Sequence, residues 1–75
     1  MRNLALSPRE RAVARHLLLG WSNQRTASEL GISTETQKKY IYNLVQKTGQ
    51  DDRLGIALFL LSTPWALAQV YEVAA

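Results

Sequence analysis

The sequence predicts an all-α domain of four helices with an additional C-terminal helix. Three stretches carry that expectation. Ser22–Gln46 reads as two helices joined by a glycine-bearing turn, and Leu6–Arg11 and Asp51-Asp52 each open a helix with a polar cap. Ser62-Thr63-Pro64 then breaks a long apolar run and restarts it as a new helix.

The first helix begins at Leu6-Ser7-Pro8-Arg9-Glu10. Ser7 caps, Pro8 suits the first helical position, and Glu10 three residues on completes a capping box. Val13 and Leu17 share a face, with Ala14 and Leu18 beside them, so this helix buries an apolar stripe and stops at Gly20. Arg9, Arg11 and Arg15 lie off the stripe, where arginines either touch phosphates or, more commonly, solvate a helix. His16, next to the stripe, reads as a satisfied structural histidine.

Ser22 caps the second helix, Leu30 closes it, and Gly31 supplies the left-handed residue that ends it. Ala27 leaves room for a crossing helix to approach. Ile32 turns back to the core, and Ser33 caps the third helix, with Glu35 in a first turn that favours an anion. A short helix, a tight turn and a longer helix is the layout of a DNA-binding helix-turn-helix. On a wheel of about 100° per residue, Thr34, Glu35, Lys38, Lys39, Tyr42 and Gln46 occupy one arc of roughly 140°. Tyr40, Ile41 and Leu44 fall opposite. The outer arc therefore carries two adjacent lysines, an aromatic hydroxyl and polar side chains, which suits phosphate contact and base reading in a major groove. A solvated face is the plainer account of the same residues.

Asp51-Asp52 caps a fourth helix that runs to about Leu61 and has no polar side. Leu54, Leu58 and Leu61 lie on one flank, and Ile56, Phe59 and Leu60 on the other. Such a helix must be covered all round. After the break, Thr63 caps and Pro64 starts a fifth helix through Val73. Packing of this tail on the fourth helix within one chain is the plainer account. Self-association is the sharper one, because one small domain has little core surface for so much apolar area, and its expected dimerisation set is Ile56, Phe59, Leu60, Trp65, Leu67, Val70 and Tyr71. A membrane span over residues 54–71 is discounted, because a span needs about 20 unbroken apolar residues and the Ser-Thr-Pro break comes too early.

Composition narrows the function. Seventy-five residues make one domain, residues 1–75, divided into a core over 4–61 and a C-terminal helix over 63–74. With no cysteine, one histidine and no nucleophile or phosphate-loop motif, an enzyme, a metal site and a cofactor are not expected. The net charge of +3 is uneven: residues 1–50 hold eight Lys/Arg against three acids, and residues 51–75 hold one against three. The basic front suits a polyanion and the apolar rear suits protein. Met1 leads straight into a capped helix with no signal peptide, so a cytoplasmic protein is expected, without a receiver or ligand-sensing domain: a complete small regulator or an excised domain.

A family pattern runs through these elements. Leu6-Ser7-Pro8-Arg9-Glu10-Arg11, Val13, Gly20, Ser22-Asn23, Ala27, Leu30-Gly31-Ile32-Ser33, Thr36, Lys38, Asn43, Lys47, Gly49 and Asp52-Arg53 resemble LuxR-type (GerE- or NarL-like) DNA-binding domains over about residues 4–60, without insertion or deletion. A weaker resemblance, to the promoter-reading region of sigma factors, is disfavoured by Asp52-Arg53. The LuxR-type resemblance implies a transcription regulator that binds double-stranded DNA sequence-specifically through its third helix, commonly as a dimer on inverted repeats. It implies that Thr36 and Lys38 touch the DNA backbone and that Thr34, Glu35, Lys39 and Tyr42 lie towards the bases. Ser33, Gln46, Lys47 and Arg25 complete the expected DNA-facing set.

The chain departs from that pattern where it places Thr26, Gln37, Thr48 and Gln50 at usually apolar positions, Arg25 at an often acidic one, and Tyr40 at a usual histidine. An intact fold needs the buried ones bonded, and a Thr26–Gln37 hydrogen bond would serve; the other reading is a helix pair slightly splayed or wet at these positions. The rival function is a protein-interaction module, an adaptor or antagonist of another regulator, which Thr26 and Gln37 support and Arg25, Lys38 and Lys39 oppose. Expected partners are DNA, a second copy of the chain, and another transcription regulator or RNA polymerase, with no membrane.

Overall fold

The computed structural model describes residues 3–71, which form five helices and, among those residues, no strand. They are α1 (Pro8–Leu18), α2 (Asn23–Leu30), α3 (Thr34–Thr48), α4 (Arg53–Ser62) and α5 (Pro64–Val70). The caps act as their residue types dictate. Ser7 accepts from the Glu10 amide while the Glu10 carboxylate accepts from the Ser7 amide, closing the capping box. Ser22, Ser33 and Asp52 cap α2, α3 and α4 through the amides of Arg25, Thr36 and Gly55. Gly31 ends α2 and Gly49 ends α3 at φ values of 68° and 73°, a region that costs other residues strain.

Val13, Ala14 and Leu17 of α1, Leu44 of α3, Ile56 and Leu60 of α4, and Ala66 and Val70 of α5 form one core. α1 packs on α3, α4 and α5, and α2 packs on α3 with Ala27 buried at the contact. Ile32 is half-buried in the turn. The guanidinium of Arg15 donates to the Val70 carbonyl at 3.0 Å, and the Leu4 amide donates to Gln69 Oε1 at 2.8 Å. The fifth helix is therefore part of the core and not an appendage.

That placement corrects the expected dimerisation set. Ile56, Leu60 and Val70 are fully buried in their own domain, and Phe59, Trp65 and Leu67 pack against the same core. Phe59 meets Trp65 edge-on at 6.2 Å. Of the set, Tyr71 alone is strongly exposed. The physical reason is that α5 folds back on α4 at 110° and covers that flank in cis. The opposite flank is left outside, with Leu54, Leu58 and Leu61 at 64%, 57% and 64% exposure. Among the described residues, no single helix is long and apolar enough to cross a membrane.

Two smaller expectations also change. Thr63 stands at the N-terminus of α5 but makes no side-chain cap bond, and α5 gives way at Tyr71, with Val73 outside the described residues.

Candidate nucleic-acid interface

α3 presents its polar arc to solvent as the wheel predicts. Thr34, Glu35, Lys38, Lys39, Tyr42 and Gln46 are all exposed, whereas Leu44 is buried and Tyr40 and Ile41 pack against the core. Tyr42 is 61% exposed, which leaves its ring and hydroxyl clear of the domain. Ser33 is occupied at the helix start, where its hydroxyl caps Thr36 and donates to Thr36 Oγ1 at 3.0 Å.

Lys38 and Glu35 pair at 3.6 Å, with both side chains largely in water. An exposed pair of this kind is worth about 0–1 kcal/mol, so a phosphate can displace the carboxylate at little cost. Lys39 lies one position further round the exposed arc. The arc can thus supply positive charge, hydroxyls and one carboxylate to a groove edge, the last able to accept from cytosine N4.

Arg25 stands near the start of α2 with its guanidinium over the Trp21 ring, 3.9 Å from the centroid, and Trp21 also stacks on His16 at 4.3 Å. The stack fixes a cation that would otherwise swing freely. His16 is corrected in one respect: it is structural, yet its Nδ1 is buried with no hydrogen-bond partner. Burial, with Arg15 and Arg25 nearby against a weaker pull from Glu29, lowers its pKa and favours the neutral ring.

Lys47 is exposed but pairs within the domain. Its ammonium donates to the Glu10 carboxylate at 2.6 Å and to the Ala5 carbonyl at 2.7 Å. Burial alone would raise the pKa of Glu10, but Lys47 and the Ser7 amide outweigh it and hold the carboxyl below its ordinary value. The α1 arginines are likewise used internally: Arg9 donates to the Leu30 carbonyl that ends α2, Arg11 to the Leu6 carbonyl, and Arg15 to Val70.

The proposed Thr26–Gln37 bond is replaced by another. Gln37 Nε2 reaches Asn23 Oδ1 at 3.4 Å, and its Oε1 is buried without a partner. Asn23 Oδ1 also accepts from Arg53 Nη1 at 2.9 Å, and Arg53 Nη2 donates to the Trp21 carbonyl. Thr48, by contrast, satisfies itself by donating to the Leu44 carbonyl at 2.7 Å, and Gln50 donates to the Thr48 carbonyl at 3.4 Å. Gln37→Leu is therefore expected to stabilise the domain by about 1 kcal/mol, because it removes a buried acceptor that nothing satisfies. Urea midpoints at constant slope measure it, and a loss of stability would show that the long amide bond matters more than the orphaned oxygen.

Asn23, Trp21 and Arg53 are the residues that reasoning from sequence left without a role. For Asn23 and Arg53 the one signal was Ser22-Asn23 and Asp52-Arg53 standing within the family pattern, and Trp21 had none; nothing in the spacing says that residues 23, 37 and 53 meet.

A tight turn with Ile32 half-buried, holding an exposed, basic and aromatic helix arc, defines a helix-turn-helix of the kind that docks in DNA. The comparisons place it further. Residues 4–60 match the family described as bacterial regulatory proteins, luxR family. The chain is also 39% identical over 64 residues to "Two-component response regulator PprB" of Pseudomonas aeruginosa, which covers 85% of this chain and 22% of that protein. No solved structure gives a significant match. The chain belongs to the luxR family of bacterial regulatory proteins, and spans about a fifth of the relative it matches. The family and the relative support a DNA-binding transcription regulator.

Proposed function

We propose that this domain regulates transcription by reading a specific double-stranded DNA sequence with α3, acting in the cytoplasm as a two-fold dimer. The observation that carries the reading is the division of α3 into an exposed polar arc and a buried apolar side. Lys38 and Thr36 hold phosphates; Thr34, Glu35, Lys39 and Tyr42 address base edges; Arg25 adds a fixed cation beside them. Gln46 extends the arc towards the end of the helix.

Dimerisation is assigned to the outward row of α4, Leu54, Leu58 and Leu61, which no part of the described chain covers. A two-fold axis there would set the two reading helices about 34 Å apart, one turn of DNA, to suit an inverted repeat.

Selection of duplexes from a random-sequence library tests the reading. The protein should enrich a common site. On that site Lys39→Ala should relax preference at one base position by about 1–3 kcal/mol. Lys38→Ala should weaken all duplexes alike and lower the salt slope by about one ion. A library that returns no enriched site, with both lysine variants indistinguishable from the parent, would favour the adaptor reading instead.

A further inference from the structure

We propose that Arg53, which lies on α4 away from the reading arc, is a positioning residue for sequence discrimination by α3. The inference rests on the DNA-reading function above and adds to it the link that holds the reading helix at its working angle.

The guanidinium makes a two-armed contact. Nη1 donates to Asn23 Oδ1 at 2.9 Å and Nη2 to the Trp21 carbonyl, so one planar group fixes both sides of the Ser22 cap. Asn23 is the first residue of α2, and the same Oδ1 receives Gln37 Nε2 at 3.4 Å. Gln37 is 1% exposed and precedes Lys38 directly on α3. Trp21, whose carbonyl Arg53 holds, carries the Arg25 guanidinium on its ring. A single side chain thus ties the start of α4 to the start of α2, to the buried face of α3 and to the platform of a surface cation.

Helix packing alone leaves this join loose. α2 packs on α3 and α3 packs on α4, whereas the polar tie between α4 and the start of α2 is the Arg53 fork. Within the helix pair, Gln37 replaces close apolar packing with one long hydrogen bond and an unpartnered oxygen. Such a pair has less to fix its crossing angle than interlocked aliphatic chains would supply. The fork supplies it from outside. Base reading needs donors and acceptors placed to within hydrogen-bond tolerance, while phosphate attraction does not, so a loosened angle costs discrimination before it costs affinity for DNA in general.

Arg53→Lys is the decisive variant, because it keeps the charge and removes the planar fork. The probes are the duplex that the parent protein selects from a random library and a scrambled duplex of equal length. Arg53→Lys should remain helical, bind the scrambled duplex with unchanged affinity and salt slope, and lose about tenfold of its preference for the selected one. The same change in an Asn23→Ala background should cost less, since the acceptor of one arm of the fork is already gone. An undiminished preference overturns the proposal, as does an equal loss in both backgrounds. If Arg53→Lys fails to fold, Asn23→Ala is measured alone: it leaves the Trp21 bond intact, and an unaltered preference in it is equally fatal. A parent protein that selects no duplex defeats the DNA-reading function itself, an outcome separate from both.

Discussion

Lys47→Ala is expected to destabilise the domain by about 3 kcal/mol, more than half of the stability of about 5 kcal/mol that a domain this small can hold. The lost contact is the ion pair that Lys47 makes with Glu10, whose side chain is only 6% exposed. Removing the ammonium leaves that carboxylate shielded from water with the Ser7 amide as its main support. The Ala5 carbonyl, at a residue held at a φ of 54°, loses its donor too. Denaturation in urea gives the cost directly. The pH dependence adds a signature. With its folded pKa depressed below 4.5, Glu10 contributes stability that is present above that value and fades as pH falls through the folded pKa. Without Lys47 the depression should vanish and the acid limb should move to higher pH. The salt slope of DNA binding should not change, because the Lys47 ammonium is already paired with Glu10; a stable variant with a slope lowered by about one ion would place Lys47 on the DNA surface.

The second large effect is expected from Leu58→Glu. This residue is the middle of the exposed row Leu54, Leu58 and Leu61, and a carboxylate there makes no contact with the domain's own core. Stability of the monomer should stay within about 0.5 kcal/mol. Across a two-fold axis, however, two carboxylates would meet in an apolar seam, and the dimer should fail. Loss of the second reading helix should then weaken binding to an inverted repeat by roughly a hundredfold, while affinity for a single half-site is kept. Light scattering at micromolar concentration, alone and with DNA, reads the first part, and gel shifts on whole and half sites read the second. A full-length protein that is monomeric in both conditions would remove the dimer from the account.

What could be read in advance follows a physical division. Local rules placed Ser7, Ser22, Ser33 and Asp52 as caps, and Gly31 as the left-handed stop, because each acts on its own neighbours. Periodicity found the polar arc of α3 because exposure there depends on one helix alone. It could not choose between the flanks of α4. Both are apolar, and the choice depends on where a helix after a proline turns, which is 110° here. The same limit hid the Lys47–Glu10 pair, 37 residues apart, and the meeting of Asn23, Gln37 and Arg53. In the first case the family pattern suggested a phosphate contact and carried no sign of the carboxylate that this lysine meets in the fold.

The bond from the Leu4 amide to Gln69 joins the two ends of the described chain, and Ala66 and Val70 fill the core that α1 began. During synthesis the domain therefore cannot close when its reading helix emerges. Until α5 follows, Ile56 and Leu60 lack their cover and the Arg15 guanidinium has no Val70 carbonyl to hold. The core that carries α3 is thus complete only once α5 has been made. For that interval the domain's most apolar stretch is open to whatever else binds nascent chains.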